Sequence, residues 1–326
     1  MAKLMGYDGI FKLIGRTPVL NLKDEELYNI NLFCKMEFYN PTGSVKDRAA
    51  QYIINRIIDE RLIDKETVII ESSSGNFGIA LSAYCNSIGL NFYCVIDPLI
   101  SKINRMLIEN YSAKVIQVTE RDKNGAYLLN RIKKVNELIC EIPNSYWVNQ
   151  YANKYNADAY YHTLGEEICN EVEDIDYVFV GVSSGGTITG ISRRVKEVYP
   201  NAKIIAVDIV GSVIFGGKPE KRYIPGIGSS KTPDILKDAL IDGIMQIKEE
   251  DVIKECNNLL KQHKVFVGGS SGAVFSAIKQ YFSNKSFRKK PNVVMLFVDR
   301  GDRYADTVYN EEWCNKYIHK ETKEVF

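Results

Sequence analysis

"TVIIESSSGNFGIALSAYCNSIGLNFYCVID", residues 67–97, is the stretch on which the fold turns. A β-branched run at 67–72 gives way, through small and turn-forming residues, to a helix-length periodic segment at 75–88. A second apolar run then follows at 91–97. Strand, helix and strand in that order are the sign of a parallel sheet with covering helices.

The alternation continues outward from this unit. Further strand-like runs are "AKVIQVT" (113–119), "DYVFVG" (176–181), "AKIIAVDIV" (202–210) and "NVVMLFVD" (292–299). Periodicity predicts helices over 46–60, 101–112, 123–141, 155–172, 186–199, 249–261 and 272–283. One series of strand–helix units fills about 65–140 and another begins near 176, with the aromatic and polar stretch "SYWVNQYANKYN" (145–156) between them. Two separate sheets are therefore expected, with a seam at that stretch.

The chain has 326 residues, 45% hydrophobic and 25% charged, with a formal net charge of +1. It can bury a core without staples. A near-neutral balance leaves no electrostatic footprint for nucleic acid or an anionic membrane, so the expected partner is a small molecule. Seven cysteines stand singly with no C-x-x-C, against a disulfide framework or a thiolate metal cluster; most are expected to be buried thiols in a reducing compartment. The three histidines, His162, His263 and His319, have no metal-ligand spacing, so triad hydrolases and metalloenzymes have little support, and no metal is expected. The first residues, "MAKLMGYDGIFKLIGRTP", do not read as a secretion signal, and no window approaches a membrane span, which gives a cytoplasmic expectation. The closing "HKETKEVF" reads as a solvated tail.

Four segments share one design, a strand passing through small residues into a helix: "NPTGSVKDR" (40–48), "ESSSGNFGIA" (71–80), "GVSSGGTITG" (181–190) and "VGGSSGAV" (267–274). Small residues let backbone amides approach a ligand closely. A helix N-terminus adds unpaired N–H groups and a positive dipole end, so each segment could hold an anion beyond the carboxyl ends of the strands. Neither G-x-x-x-x-G-K-[ST] nor G-x-G-x-x-G is present, which argues against ATP or a dinucleotide. Lys46 lies near the start of its helix, a poor place for a cation unless a lowered pKa is useful there.

"NPTGSVKDR" resembles the P-x-x-S-x-K-D-R lysine motif of fold-type II pyridoxal phosphate enzymes, the cysteine synthase and cystathionine β-synthase family. "SSSGNFG" is similar to their asparagine loop, "SSGGT" to their phosphate cup and "GGSSGA" to their late serine motif; "PGIG" (225–228) and "DRGDRY" (299–304) also have counterparts. The resemblance covers about residues 10–310. It implies two three-layer α/β/α domains with mostly parallel twisted sheets. Residues 40–149 would form a smaller mobile domain holding the substrate carboxylate; 12–39 with 150–310 a larger domain holding the cofactor phosphate; and 311–326 a C-terminal helix and tail. Lys46 would form an imine with pyridoxal 5'-phosphate and later remove the substrate α-proton. Ser183, Ser184, Gly185, Gly186 and Thr187 would cradle the phosphate, Asn76 would meet the pyridine 3'-oxygen and Ser270 the pyridine nitrogen. Ser73, Ser74 and Asn76 would grip the substrate carboxylate, with Gln150 opposite. Asp47 and Arg48 would cap and brace the helix rather than react. A serine at the ring nitrogen makes a weaker electron sink than an aspartate, which suits β-replacement through an aminoacrylate.

Ordinary cysteine synthases join O-acetylserine and sulfide, and the sequence departs from them at Phe77, Tyr151 and "DIVGSVIFGGKP" (208–219). With "DRGDRYADTVY", that segment looks more like the N-(2-amino-2-carboxyethyl)-L-glutamate synthases, which join O-phospho-L-serine to L-glutamate for 2,3-diaminopropionate and siderophore biosynthesis; related enzymes are mostly homodimers, so the resemblance implies a homodimer. Tyr151, Ser184, Arg131 and Arg222 are candidates to receive the larger anionic substrates. The Tyr151 hydroxyl is equally well served by a backbone carbonyl, and Arg131, within "LLNRIKKVNEL", reads more readily as part of a solvated helix face.

Overall fold

The chain, in a computed structural model that describes residues 9–122 and 125–318, forms two sheets facing a shared cleft. The strands are β1 (Val19–Leu22), β2 (Asn31–Lys35), β3 (Val68–Ser72), β4 (Asn91–Ile96), β5 (Lys114–Gln117), β6 (Ser145–Trp147), β7 (Ile175–Gly181), β8 (Lys203–Ile209), β9 (Gly243–Ile247) and β10 (Asn292–Leu296). The helices are α1 (Lys46–Asp59), α2 (Asn76–Ser87), α3 (Lys102–Asn110), α4 (Leu128–Glu141), α5 (Lys154–Tyr160), α6 (Glu166–Glu171), α7 (Gly186–Val198), α8 (Glu249–His263), α9 (Gly269–Phe282) and α10 (Glu311–Tyr317).

The larger sheet has the order β1-β2-β10-β7-β8-β9, parallel except for the β1–β2 pair. The smaller has the order β5-β4-β3-β6, parallel throughout. Helices on both faces explain why β3 and β8 are apolar without alternation: Ile69 and Ile70 are both fully buried, as are Ile204, Ala206 and Val207. One core cluster runs from α1 (Ala49, Ile53, Ile57) and α2 into Val178, Val180 and Ile204 of the larger sheet, so the two sheets share a continuous apolar interior. A second cluster fills the other face of the larger sheet beneath α8 and α9.

The expected strands all form, and β1, β2, β6 and β9 join them unanticipated. All four are short, and β9 is half-exposed at the sheet edge, so an apolar run is missing where the strand needs none. The expected helix at 155–172 is interrupted by a π-turn at Tyr161–Gly165, and the one at 123–141 starts at Leu128. Residues 123–124, His319 and the tail at 319–326 lie outside the described residues. His162 stacks on Tyr52, while His263 bonds to Asp24 at 2.9 Å. Cys140 is exposed and Cys169 intermediate; the other five cysteines are buried. No helix among the described residues is long and apolar enough to cross a membrane.

Candidate active site

Lys46 is the first residue of α1, and no side chain caps that helix start. Its amine stands 3.3 Å from Ser184 Oγ, at the start of α7 on the other side of the cleft. Burial lowers its pKa from 10.5 to about 8, against the field of Asp299, which raises it. Burial thus prepares the neutral amine. The same cleft is lined by Asn76, Ser183, Ser184, Gly185, Thr187 and Ser270, with apolar walls from Val45, Ile188, Val274, Leu296 and Val298. Residues more than 200 positions apart in the chain therefore meet around one lysine.

Only two of the four glycine- and serine-rich segments follow a strand directly. "ESSSGNFGIA" leaves β3 and "GVSSGGTITG" leaves β7. "NPTGSVKDR" instead follows a short 3-10 turn at Glu37–Tyr39, and "VGGSSGAV" follows α8, touching its surroundings through an isolated bridge between Val267 and Arg300. A matching bridge joins Ser44 to Asp299, so the backbone at 299–300 lies between the lysine turn and the serine loop and substitutes for the missing strands.

The segment before α7 fits a phosphate. Gly185 has φ +85°, a left-handed conformation that a side chain would strain, and a Cβ there would come within 3.0 Å of Ile235. Among the described residues, the backbone N–H groups of 183–188 make no hydrogen bond. Unpaired donors at a helix N-terminus are a ready anion site. Ser270, near the start of α9, is buried, and its hydroxyl has no hydrogen-bond partner among the described residues. With Lys46 beside the cup, the residues present suit a phosphorylated aldehyde cofactor.

The loop before α2 is already knitted together. Ser73 Oγ accepts from Gly78 N at 3.0 Å; Ser74 Oγ donates to Asp97 Oδ2 at 2.8 Å while accepting from Asp97 N and Arg131 Nη1, both at 3.0 Å. The side chains expected to grip a carboxylate are thus engaged within the loop, whereas the backbone N–H groups of Ser74, Asn76 and Phe77 make no hydrogen bond among the described residues. Gln150 is buried, its Nε2 donating to Ser72 O at 3.3 Å and its N to Glu71 Oε2 at 3.1 Å.

Arg131 overturns the solvated-face reading. Its side chain is 12% exposed, reaches Ser74 and lies 3.3 Å from Asp97 Oδ2, and its Nε is buried without a partner. The Tyr151 hydroxyl makes no hydrogen bond among the described residues; burial raises its pKa, opposed by the fields of Arg131 and Arg222. Arg222 donates to Ile227 O at 3.3 Å and Ser230 Oγ at 3.1 Å, so it braces the "PGIG" loop, and its charge lowers the Tyr151 pKa against the effect of burial. Asp47 accepts from the backbone N and hydroxyl of Thr42, tying the lysine turn to the helix; burial lifts its pKa to about 6. Arg48 is buried between Glu37 and Glu167, at 2.6 Å and 2.7 Å. Both act as scaffolding, as the sequence suggests.

Two acidic groups escape the sequence reading. Glu71, at the end of β3, accepts from Ser72 N at 2.6 Å as well as from Gln150 N, and burial raises its pKa to about 7. Asp299 accepts from Asn76 and Tyr304. Their signal was a carboxylate at the end of a buried apolar run, which is costly unless donors converge there. A larger cavity, about 320 Å³ against about 50 Å³ around Lys46, lies between α1 and α6, but Arg48, Arg56 and Glu167 in its wall are already paired.

Comparison with known proteins agrees with this chemistry. Residues 10–299 match the family described as "Pyridoxal-phosphate dependent enzyme". The O-acetylserine dependent cystathionine beta-synthase of Helicobacter pylori is 33% identical with a TM-score of 0.87, covering 94% of this chain and 100% of that one. A hydrogen sulfide-producing enzyme of Fusobacterium nucleatum is 29% identical with a TM-score of 0.85, covering 91% and 99%. An O-ureido-L-serine synthase, at 23% identity and a TM-score of 0.87 over 94% and 96%, shares the fold. A partly buried lysine beside a row of unpaired N–H groups agrees with these matches over nearly the whole chain: the protein belongs to the family of pyridoxal-phosphate dependent enzymes and is a β-replacement transferase of the cysteine synthase type.

Proposed function

We propose that the enzyme joins O-phospho-L-serine and L-glutamate into N-(2-amino-2-carboxyethyl)-L-glutamate and phosphate, a precursor of 2,3-diaminopropionate. The observation that carries this reading is that Arg131, bonded to Ser74 in the loop before α2, has a buried, unpartnered Nε, and that its charge and that of Arg222 both act on Tyr151. Sulfide needs neither cation. A phosphorylated substrate and a dicarboxylic amine need both, because an arginine fork matches phosphate and carboxylate.

Bound pyridoxal phosphate supplies the electron sink that makes the substrate Cα–H acidic. The N–H groups at Ser183, Ser184, Gly185, Gly186 and Thr187 would hold its phosphate, Asn76 would donate to its ring oxygen, and the Ser270 hydroxyl would meet its ring nitrogen. The N–H groups of Ser74 and Asn76, with Gln150, hold the substrate carboxylate. Lys46 Nζ would take the substrate α-proton and later return it to Cα; Arg222 would receive the phosphate as the Cβ–O bond breaks, and the glutamate amine would lose a proton as its nitrogen bonds to Cβ. A lysine pKa of about 8 leaves an appreciable neutral fraction near neutrality.

A second reading, cysteine synthase using O-acetyl- or O-phosphoserine with sulfide, is favoured by the similarity to the O-acetylserine dependent enzyme. The two separate in one assay. Purified holoenzyme is given O-phospho-L-serine, then L-glutamate or sulfide in parallel, with phosphate release and product mass as readouts. Glutamate-dependent turnover is expected; turnover with sulfide alone selects cysteine synthase. Arg222→Ala should raise KM for O-phosphoserine about tenfold more than KM for O-acetylserine, the loss of one charge-assisted contact. Equal effects would remove Arg222 from the phosphate site.

A further inference from the structure

The motif "DRGDRY" (299–304) has a counterpart in the family, yet the reaction outlined above gives it no part. In the structure it converges on Asn76. Asn76 Nδ2 donates to Asp299 Oδ2 at 2.7 Å, the Tyr304 hydroxyl donates to the same oxygen at 2.7 Å, and Arg303 Nη1 donates to Asn76 Oδ1. A guanidinium can only donate and a carboxylate only accepts, so these two neighbours permit one orientation of the Asn76 amide. Its nitrogen carries two hydrogens. Asp299 takes one, and the other remains for the cleft that Asn76 lines.

Arg303 also reaches the lysine. Its Nη2 donates to Thr42 O, and the N–H and hydroxyl of Thr42 are held by Asp47, the neighbour of Lys46. One guanidinium therefore ties the start of α2, carrying Asn76, to the turn that starts α1, carrying Lys46. Asp299, Arg303 and Tyr304 are all at least nine-tenths buried, so the bonds among them offset a costly burial, while Asp299 Oδ1 has no hydrogen-bond partner among the described residues. The fold makes room for it: a Cβ on Gly268 would fall 2.1 Å from Asp299 Oδ1 and 2.4 Å from the Tyr304 ring.

We propose that Asp299, Arg303 and Tyr304 are positioning residues that fix the Asn76 amide nitrogen toward the cofactor and hold it in register with Lys46. The inference rests on Asn76 as the donor to the cofactor ring oxygen. That oxygen is read optically, because its hydrogen bonding affects the visible band of the bound cofactor and the pH at which the band titrates.

The test is a double-mutant cycle on the holoenzyme with wild type, Asn76→Ala, Arg303→Met and the double variant. Cofactor Kd is measured by fluorescence titration and the visible band by absorbance against pH. Arg303→Met should weaken cofactor binding about tenfold, move the band titration in the same direction as Asn76→Ala, and cost only about twofold in the Asn76→Ala background, where the Thr42 contact alone is left to lose. Full additivity, or an unmoved band in Arg303→Met, overturns the proposal. Should Arg303→Met fail to fold, Tyr304→Phe enters the same cycle with an expected effect of about threefold and the same two overturning results. If Asn76→Ala itself changes neither Kd nor band, the ring-oxygen assignment fails first, and that outcome is distinct from a failure of positioning alone.

Discussion

The two sides of the cleft are built on opposite terms. On the larger-sheet side, the segment before α7 offers a row of unpaired N–H groups with no charged side chain among residues 183–188. On the smaller-sheet side, the loop before α2 rests on Glu71, Asp97 and Arg131, whose charges are largely satisfied by one another and by the loop itself. The first side has donors free for an anion without rearrangement. The second must exchange some internal contacts for a ligand, as expected where a substrate comes and goes while a cofactor stays.

Gly185→Ala strikes the first side. An alanine in the left-handed region costs about 1–2 kcal/mol, and its Cβ would press on Ile235. Cofactor Kd should rise about five- to thirtyfold, as that strain opposes the bound form of the loop, while KM for the amino-acid substrate, measured at saturating cofactor, stays within about twofold. A KM that rises in step with Kd would show that the two sides are not separable.

Lys46 stands between them and allows a second test. Covalent loading of cofactor needs the neutral amine, and with a pKa of about 8 the neutral fraction rises about tenfold between pH 7 and pH 9. The loading rate of apoprotein, followed by stopped flow, should rise accordingly with an inflection near pH 8. Asp299→Asn should move that inflection lower, since Asp299 opposes the effect of burial. A rate flat between pH 7 and pH 9 would mean that Lys46 is not the group being loaded.

The same contrast decides what the sequence could reveal. The cup at 183–187, the loop at 73–76 and Ser270 are contiguous runs of small residues, so their backbone chemistry is written locally, and Lys46 beside them is legible for the same reason. Arg131 looked like one more basic residue on a helix because its partners Ser74 and Asp97 lie 57 and 34 positions away (131 − 74 and 131 − 97). Arg303 meets Asn76 across 227 positions. Such pairings are created by topology, which brings β3 and the end of β10 to one cleft, and no window of the chain contains them. Of the expected elements, the buried strands were legible as apolar runs; β6 and β9 were not, because short or half-exposed strands carry little pattern.

Glu71 tests the side that has to yield. Its carboxylate accepts from Ser72 N and Gln150 N, so only the ionised form can satisfy both donors, while burial favours the neutral form and lifts the pKa from 4.5 to about 7. Raised above its unfolded value, this group removes stability as pH climbs from about 4.5 to about 7, where the unfolded chain is ionised and the folded one is not yet. Above pH 7 the ionised carboxylate accepts fully from Ser72 N and Gln150 N, which on the proposed reading steadies the substrate site. KM for the amino-acid substrate should therefore fall as pH rises through about 7 in the wild type. In Glu71→Gln it should lack that inflection and stay about fivefold higher at pH 8, since a carboxamide turns its NH2 toward one of the two backbone donors. The variant should also lose less stability than the wild type between pH 5 and pH 7, measured by urea unfolding, because no buried charge has to form. Cofactor Kd should not change. A pH profile of KM superimposable on the wild type would place the yielding contacts elsewhere in the loop, at Asp97 and Arg131.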